Sequence, residues 1–316
     1  MTSAAPSPPP LPAPAPAPPA FVGRQAEGRA VILSARAGRS VQLVAPTGYG
    51  KSALLDELAP TLDTLALTLR LPKVAPFGTF LSDLAAALIA ASVPVPGGDL
   101  AGWKKAHAGN DLKARSLVQV LRDYRATGAT APVLLIDDAT GLTQSMVPAL
   151  LALAEYAALI CAVQPETTRK AGLSRWWNRC DRVELGPLDR AEARALVDSL
   201  TARYGIIAQD MSAYKNRVLS LAEGIPGEIE RLVRYVSTHD LVSNADIGST
   251  FAQQAAQRQE RGVALAPVLL VLGGVAMVTK YVGLARGEMD MYLMGGVGIA
   301  FFMVAGPFLR KLVMTK

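Results

Sequence analysis

Short apolar runs alternate with helical patterns through the middle of the chain. Runs dominated by apolar residues predict buried strands at 41–44, 133–136 and 158–163. A further strand is predicted at 64–71, and apolar spacing predicts helices at 77–92, 111–126 and 143–153. Residues 93–110, which are rich in proline and glycine, predict a loop. Repeated strand–helix units favour an α/β fold with a parallel sheet, whose functional site lies at the carboxyl ends of the strands.

The two ends of the chain do not share this pattern. The first 20 residues contain nine prolines and predict an extended tail, without the basic start and apolar core of a secretory signal. Near the other end, residues 263–279 and 291–309 are runs of seventeen and nineteen residues without a formal charge. Each run approaches the ~20 residues that cross a bilayer. We therefore expect a two-helix transmembrane hairpin at 258–316.

Flanking charges give this hairpin an orientation. Five basic residues flank the two runs, whereas only Lys280 and Arg286 lie between them. The positive-inside rule then predicts a multi-pass protein of the cytoplasmic (inner) membrane, with both termini in the cytoplasm and the lipid bilayer as a partner. The alternative is a buried helical hairpin. Because neither run contains a buried ionisable residue, we expect an anchor first and a pore only second.

Composition narrows the function classes. The chain has 316 residues, of which 51% are apolar and 18% are charged, with a mean hydropathy of +0.27. Its net charge is +6, but residues 258–316 carry +4 of it, so the rest is nearly neutral and nucleic acid is an unlikely partner. Two cysteines and two histidines exclude a disulfide framework and make a Cys/His metal site improbable.

The clearest chemical signal is the segment 45–52, which reads Ala-Pro-Thr-Gly-Tyr-Gly-Lys-Ser between a predicted strand and a predicted helix. This is the pattern of a phosphate-binding loop. Glycines at 48 and 50 let backbone amides curl round phosphates, Lys51 reaches the β- and γ-phosphates, and the Ser52 hydroxyl ligates Mg²⁺. The candidate nucleotide contacts are Pro46, Thr47, Gly48, Tyr49, Gly50, Lys51, Ser52 and Ala53. An ordinary glycine-rich loop is the alternative.

An acidic pair ends the strand predicted at 133–136. Asp137 is placed to hold Mg²⁺ through water, and Asp138 to orient or deprotonate the attacking water. The alternative is an acidic turn with no chemical role. Many hydrolysing enzymes with such a loop have Glu as the second acid. Because Asp is one methylene shorter, slow turnover is an open alternative.

In order and spacing, these motifs resemble those of the AAA+/STAND branch of P-loop ATPases over residues 21 to about 240. The segment 21–27 resembles the box that packs near the adenine, which makes Val22 and Gly23 candidate contacts. The segment 183–188 resembles the passage into a helical lid, and Gly224-Ile225-Pro226 resembles the lid element whose proline approaches the base. The resemblance implies a P-loop NTPase core at 21–185, a helical lid at 186–257, ATP and Mg²⁺ as cofactors, and a homo-oligomer.

Two roles implied by the resemblance have several candidates. The polar γ-phosphate sensor is assigned to Gln164, with Thr167 or Arg169 as alternatives. The arginine finger that would reach a neighbour's nucleotide is assigned to Arg179. Its alternatives in the same cluster are Arg175 and Arg182.

The sequence thus predicts a membrane-anchored cytoplasmic ATPase that hydrolyses ATP with Mg²⁺ to drive assembly or remodelling of a membrane-associated complex with an unidentified protein. The alternative is a nucleotide-gated, oligomerising switch whose hairpin is a signalling or membrane-disrupting effector. A DNA-handling regulator is a third and weaker hypothesis, because the region before the hairpin has so little net charge.

Overall fold

The computed structural model describes residues 21–237, 265–287, 289–290, 292–294 and 296–297. It divides into two compact units, Met1–Asn244 and Ala245–Lys316. The tail at 1–20 and the segment 238–264 lie outside the described residues, so the predictions for them are untested.

The first unit is built on a five-stranded, wholly parallel sheet with the strand order β2-β3-β4-β1-β5. The strands are β1 (Val41–Val44), β2 (Thr68–Lys73), β3 (Val133–Asp138), β4 (Ala158–Val163) and β5 (Asp181–Glu184). Every residue of β1 and β4 is buried, as expected for strands covered on both faces. The predicted parallel sheet is confirmed.

Helices cover both faces of this sheet. They are α1 (Gln25–Arg36), α2 (Lys51–Asp63), α3 (Phe77–Ala90), α4 (Leu100–Ala106), α5 (Asn110–Ala126), α6 (Val147–Leu153), α7 (Pro165–Thr168) and α8 (Ser174–Trp177). One hydrophobic core joins the sheet to α1 and α2, and a second joins it to α3, α5, α6 and α8. The result is a three-layer α/β/α arrangement, in which the carboxyl ends of the strands share one edge.

Two predicted elements differ from the structure. The strand expected at 64–71 begins at Thr68, because α2 continues to Asp63 and a turn follows it. The loop expected at 93–110 contains α4, whose N-cap Asp99 accepts a hydrogen bond from the Gly102 amide. This short helix forms because Trp103 is fully buried in the core, a long-range contact that local proline and glycine content does not reveal.

Three helices follow β5: α9 (Arg190–Arg203), α10 (Met211–Ala222) and α11 (Pro226–Val236). Asp189 and Glu192 form a reciprocal capping box that fixes the start of α9. Tyr214 of α10 is fully buried. This burial raises the pKa of Tyr214 to about 12.

The second unit contains α12 (Leu265–Arg286). Among the described residues, no helix combines the length and the apolar character needed to cross a bilayer. This finding contradicts the predicted multi-pass membrane location, and it does not support the predicted transmembrane hairpin or the lipid partner. Lys280 and Arg286 lie within α12. The second predicted run, 291–309, lies almost wholly outside the described residues.

Candidate nucleotide-binding site

The segment after β1 forms a tight loop that leads directly into α2. Gly48 and Gly50 have φ values of 86° and 85°, in the left-handed region that favours glycine. Gly50 is the residue before α2, which starts at Lys51. The first backbone amides of a helix have no partner within the helix, and its N-terminus carries partial positive charge. The loop therefore presents donors suited to an anion such as a phosphate.

Lys51 contacts the beginning of the same loop. Its Nζ donates to the carbonyl oxygen of Ala45 at 2.7 Å and to that of Pro46 at 2.9 Å. Burial lowers the pKa of the Lys51 ammonium from its ordinary value, while the negative charges of Asp137, Asp138 and Glu166 oppose that change. Lys51 is thus a partly desolvated cation that is bonded to the loop carbonyls and attracted by these three carboxylates.

The acidic pair lies at the carboxyl end of β3. Four buried residues precede it in the strand, whereas Asp137 and Asp138 are exposed. The Asp138 carboxylate accepts hydrogen bonds from the Thr140 amide at 2.9 Å and from the Thr140 hydroxyl. Its orientation is therefore fixed by the turn that follows the strand. Thr140 had no assigned role in the sequence, because a threonine two residues after an acid gives no recognisable signal.

Gln164 follows β4, which pairs with β1 in the sheet. Its Nε2 donates to the Thr47 hydroxyl oxygen at 3.0 Å, so the end of β4 is joined to the phosphate-binding loop. Of the two alternative sensors, Thr167 is buried and Arg169 is exposed. Neither lines the cavity described below, whereas Gln164 does.

The start of α11 packs against the same loop. The Gly227 amide donates to the Gly48 carbonyl oxygen at 2.8 Å. Pro226 is the first residue of α11, where a missing N–H costs nothing, and its ring lies near Gly50. Gly227, the residue after the Gly-x-Pro segment, is therefore in backbone contact with the phosphate-binding loop, and Pro226 of that segment lies beside the loop.

These elements enclose a cavity of about 750 Å³. The predicted site residues that line it are Val22, Thr47, Gly48, Tyr49, Gly50, Lys51, Ser52, Ala53, Asp137, Asp138, Gln164 and Pro226. Three predicted residues do not line it: Gly23, Pro46 and Arg179. The Pro46 carbonyl oxygen instead accepts a hydrogen bond from Lys51, and Arg179 is exposed in the connection between α8 and β5. The cavity has the size of a small-molecule site.

Several lining residues were missed by the sequence reasoning. Those with no assigned role are Phe21, Arg24, Asp56, Glu57, Thr140, Ala162, Leu188, Leu196, Leu200, Gly227 and Glu230. Leu196 and Leu200 are four positions apart on α9, so their spacing gave a signal for one apolar face. Arg24 belongs to the box at 21–27, but nothing in that box distinguishes its side chain as buried.

The donor set formed by Ser52 of α2 and Asp137 of β3 suits Mg²⁺. A serine hydroxyl at 52 and a carboxylate at 137 are hard oxygen ligands of the kind that Mg²⁺ prefers. Across the described parts of the chain, no group of three or more His, Cys, Asp or Glu residues is arranged to hold a metal ion. A site with few protein ligands fits Mg²⁺, which keeps several waters and uses substrate phosphates as ligands.

No protein-family model matches the sequence, and no curated protein matches it either. Solved structures do resemble the fold. The ORC1 protein of Aeropyrum pernix, solved in complex with DNA, has a TM-score of 0.51 at 15% identity, covering 88% of this chain and 78% of that chain. The RuvB Holliday junction branch migration motor of Thermotoga maritima has a TM-score of 0.40 at 17% identity, covering 72% and 67%.

A third similar structure is Hsp104 of S. cerevisiae in its casein complex, with a TM-score of 0.49 at 15% identity, covering 89% of this chain and 48% of that chain. At these identities the likeness shows the fold alone. The predicted α/β fold with a parallel sheet is confirmed, and the ORC1 structure shares it. The assignment to the AAA+ ATPases and the hydrolysis of ATP stay predictions. The assignment to the STAND branch stays a prediction.

Proposed function

We propose that the chain is an AAA+-type ATPase that binds Mg²⁺ and ATP in the cavity between the sheet and α9–α11, hydrolyses the ATP and works as a homo-oligomer. The observation that carries this proposal is the convergence of Lys51, Asp138, Gln164 and Gly227 on one cavity of about 750 Å³. Residues 21–185 act as the nucleotide-binding domain and residues 186–257 as the lid.

Each polar group has one task in this proposal. Lys51 and the amides of the loop bind the β- and γ-phosphates, and Ser52 and Asp137 hold Mg²⁺. The bound Mg²⁺ supplies charge neutralisation on the phosphates. Asp138, which Thr140 orients, accepts a proton from the attacking water, and Gln164 donates a hydrogen bond to the γ-phosphate.

The rest of the cavity suits a nucleoside. Phe21 and Val22 lie on one side, and Leu188, Leu196 and Leu200 line the side formed by the start of the lid. Apolar side chains of this kind bury the flat faces of a purine base. We therefore propose that the adenine lies between the box at 21–27 and α9.

Arg179 fits a role in a neighbouring protomer. Its side chain is exposed and does not line its own chain's cavity, so a nucleotide that it reaches would belong to another molecule. In this proposal, Arg179 completes the site of the next protomer and stabilises the charge that develops on the transferred phosphate. Turnover per protomer then rises with protein concentration.

The cellular task proposed is assembly or remodelling of a protein complex driven by ATP turnover. A nucleotide-gated oligomerising switch is the second candidate. Asp138, whose carboxylate is hydrogen-bonded to Thr140, favours the switch. Its side chain is one methylene shorter than that of Glu, so its carboxylate lies farther from the attacking water. The sequence predicts that nucleic acid is not a partner. Salt-sensitive DNA binding would contradict that prediction.

Steady-state ATP turnover by the full-length protein across a range of concentrations tests the proposal. Lys51→Ala should abolish turnover, and Asp138→Asn should bind ATP without hydrolysing it. Arg179→Ala should remove the rise of specific activity with concentration, with Arg190→Ala as a control at an exposed position of α9. Normal turnover by the Lys51 variant would refute the proposal, and tight binding with negligible wild-type turnover would favour the switch.

A further inference from the structure

Arg24 is a buried cation in a turn that few residues adopt. Only 6% of its surface is exposed, although arginine is rarely buried unless it is paired. Gly23 and Arg24 both have left-handed backbones, with φ values of 77° and 63°. This conformation is unfavourable for a residue with a Cβ, so the surrounding contacts must hold Arg24 in place.

The Arg24 guanidinium contacts three separate groups. Its Nη1 donates to a carboxylate oxygen of Glu27 at 3.1 Å. Its Nη2 donates to the Gly186 carbonyl oxygen and, at the longer distance of 3.5 Å, to the Tyr49 carbonyl oxygen. Glu27 balances the buried charge, while the two carbonyls belong to different parts of the fold.

Those two carbonyls lie at functionally different places. Tyr49 is in the phosphate-binding loop, between the two left-handed glycines. Gly186 is in the connection between β5 and α9, where the chain passes from the sheet to the three lid helices. A planar guanidinium with five donors can hold both carbonyls at once, which a single ammonium does less well.

The neighbouring residue contacts the lid as well. A Cβ added to Gly23 would overlap the Glu192 carboxylate, so the backbone of Gly23 lies directly against that side chain. Glu192 is fixed in turn by its capping box with Asp189 at the start of α9. Gly23 and Arg24 therefore contact the phosphate-binding loop, the connection at Gly186 and the first lid helix.

We propose that Arg24 is a positioning residue that couples the connection at Gly186 to the phosphate-binding loop at Tyr49, and thereby slows release of the nucleotide. The inference rests on the proposed ATP site and adds to it. Arg24 acts through the two carbonyl groups: it keeps the loop in its phosphate-binding shape while the lid stays closed. Opening of the lid at Gly186 takes away one of the acceptors that hold the guanidinium, and the loop loosens with it.

The test is the rate at which the full-length protein releases a fluorescent ATP analogue with Mg²⁺, measured by stopped-flow chase with unlabelled ATP. Arg24→Met should release it about tenfold faster, because bonds from a charged donor are lost. Arg24→Lys should lie between Arg24→Met and the wild type. The matched control is Arg39→Met, since Arg39 is exposed and pairs with Asp181 away from the cavity.

A second readout separates positioning from stability. At saturating ATP, the hydrolysis rate of Arg24→Met should change less than its KM. Across the variants, the release rate should not follow the melting temperature of the nucleotide-free protein. If Arg24→Met does not fold, Glu27→Gln replaces it, with release expected about threefold faster because a charged partner of the guanidinium becomes neutral.

Each outcome is decisive. Release by Arg24→Met within twofold of Arg39→Met overturns the inference, and so does release by Arg24→Lys at the wild-type rate. If the wild-type protein itself fails to bind the ATP analogue, the proposed ATP site is refuted and the coupling falls with it.

Discussion

The contact between Gly227 and Gly48 allows a direct test of whether the lid closes on the phosphate-binding loop. A Cβ added to Gly227 would lie 2.9 Å from the Gly48 Cα and 3.0 Å from the Gly48 carbonyl oxygen. Real Cβ atoms essentially never approach a heavy atom below 3.0 Å, and here the neighbour is backbone, which cannot rotate away. Gly227→Ala must therefore push α11 off the loop.

The cost can be assembled from two parts. The hydrogen bond from the Gly227 amide to the Gly48 carbonyl, 2.8 Å long, is worth about 0.5–1.5 kcal/mol net. Overpacking at a tight contact costs about 1–3 kcal/mol. A combined cost of about 2 kcal/mol to the closed arrangement corresponds to roughly thirtyfold in an equilibrium constant. We expect the Kd for Mg²⁺ and ATP to rise by at least about tenfold.

The fold itself should tolerate this substitution. Gly227 does not have a left-handed backbone, and alanine is favoured over glycine in a helix by about 1 kcal/mol. The melting temperature of the nucleotide-free protein should therefore change little. Gly109→Ala is the control, because a Cβ there meets nothing within 4 Å and Gly109 does not line the cavity. A Kd for Gly227→Ala within twofold of the control would refute the reasoning.

Three further predictions concern other contacts. Gln164→Ala should lower kcat about a hundredfold with a smaller change in KM, whereas Thr47→Val, which leaves the amide in place, should lower it less. Burial raises the pKa of the Cys161 thiol and raises that of the Cys180 thiol to about 12. Both thiols should therefore react slowly with a thiol reagent at about pH 8 until urea unfolds the protein. Rapid reaction of the native protein would contradict this prediction. Trp176→Ala should lower the free energy of unfolding by about 3–5 kcal/mol in urea titrations, because its indole is fully buried.

Much of the central architecture could be predicted because its signals are local. The segment 41–52 carries strand, loop and helix in one stretch, and apolar runs such as 158–163 read directly as buried strands. The glycines at 48 and 50 also indicate left-handed backbone conformations, because only glycine adopts such conformations at low energetic cost.

The contacts that complete the site could not be predicted because they are long-range. Arg24 and Gly186 are 162 positions apart, and Gln164 and Thr47 are 117 apart. No residue pattern specifies which arginine is drawn into the interior. The approach of Gly227 to Gly48 likewise depends on how α11 packs, and Gly227 in the sequence is only one glycine beside a proline.

The membrane location was predicted from a count of uncharged residues over 263–279 and 291–309. In the described part of the chain, no helix has both the length and the apolar character needed to cross a bilayer. A count of uncharged residues does not give the length of the helix that contains them, and α12 includes the charged residues Lys280 and Arg286.

The most direct test of the central claim is titration of the full-length protein with Mg²⁺ and ATP by calorimetry, beside Lys51→Ala prepared in the same way. The Lys51 ammonium donates to the carbonyl oxygens of Ala45 and Pro46 in its own loop, so its removal should leave the fold intact. The account predicts one ATP bound per protomer in the wild-type protein and no measurable binding to the variant. Equal binding by both proteins, or none by the wild type, would contradict it.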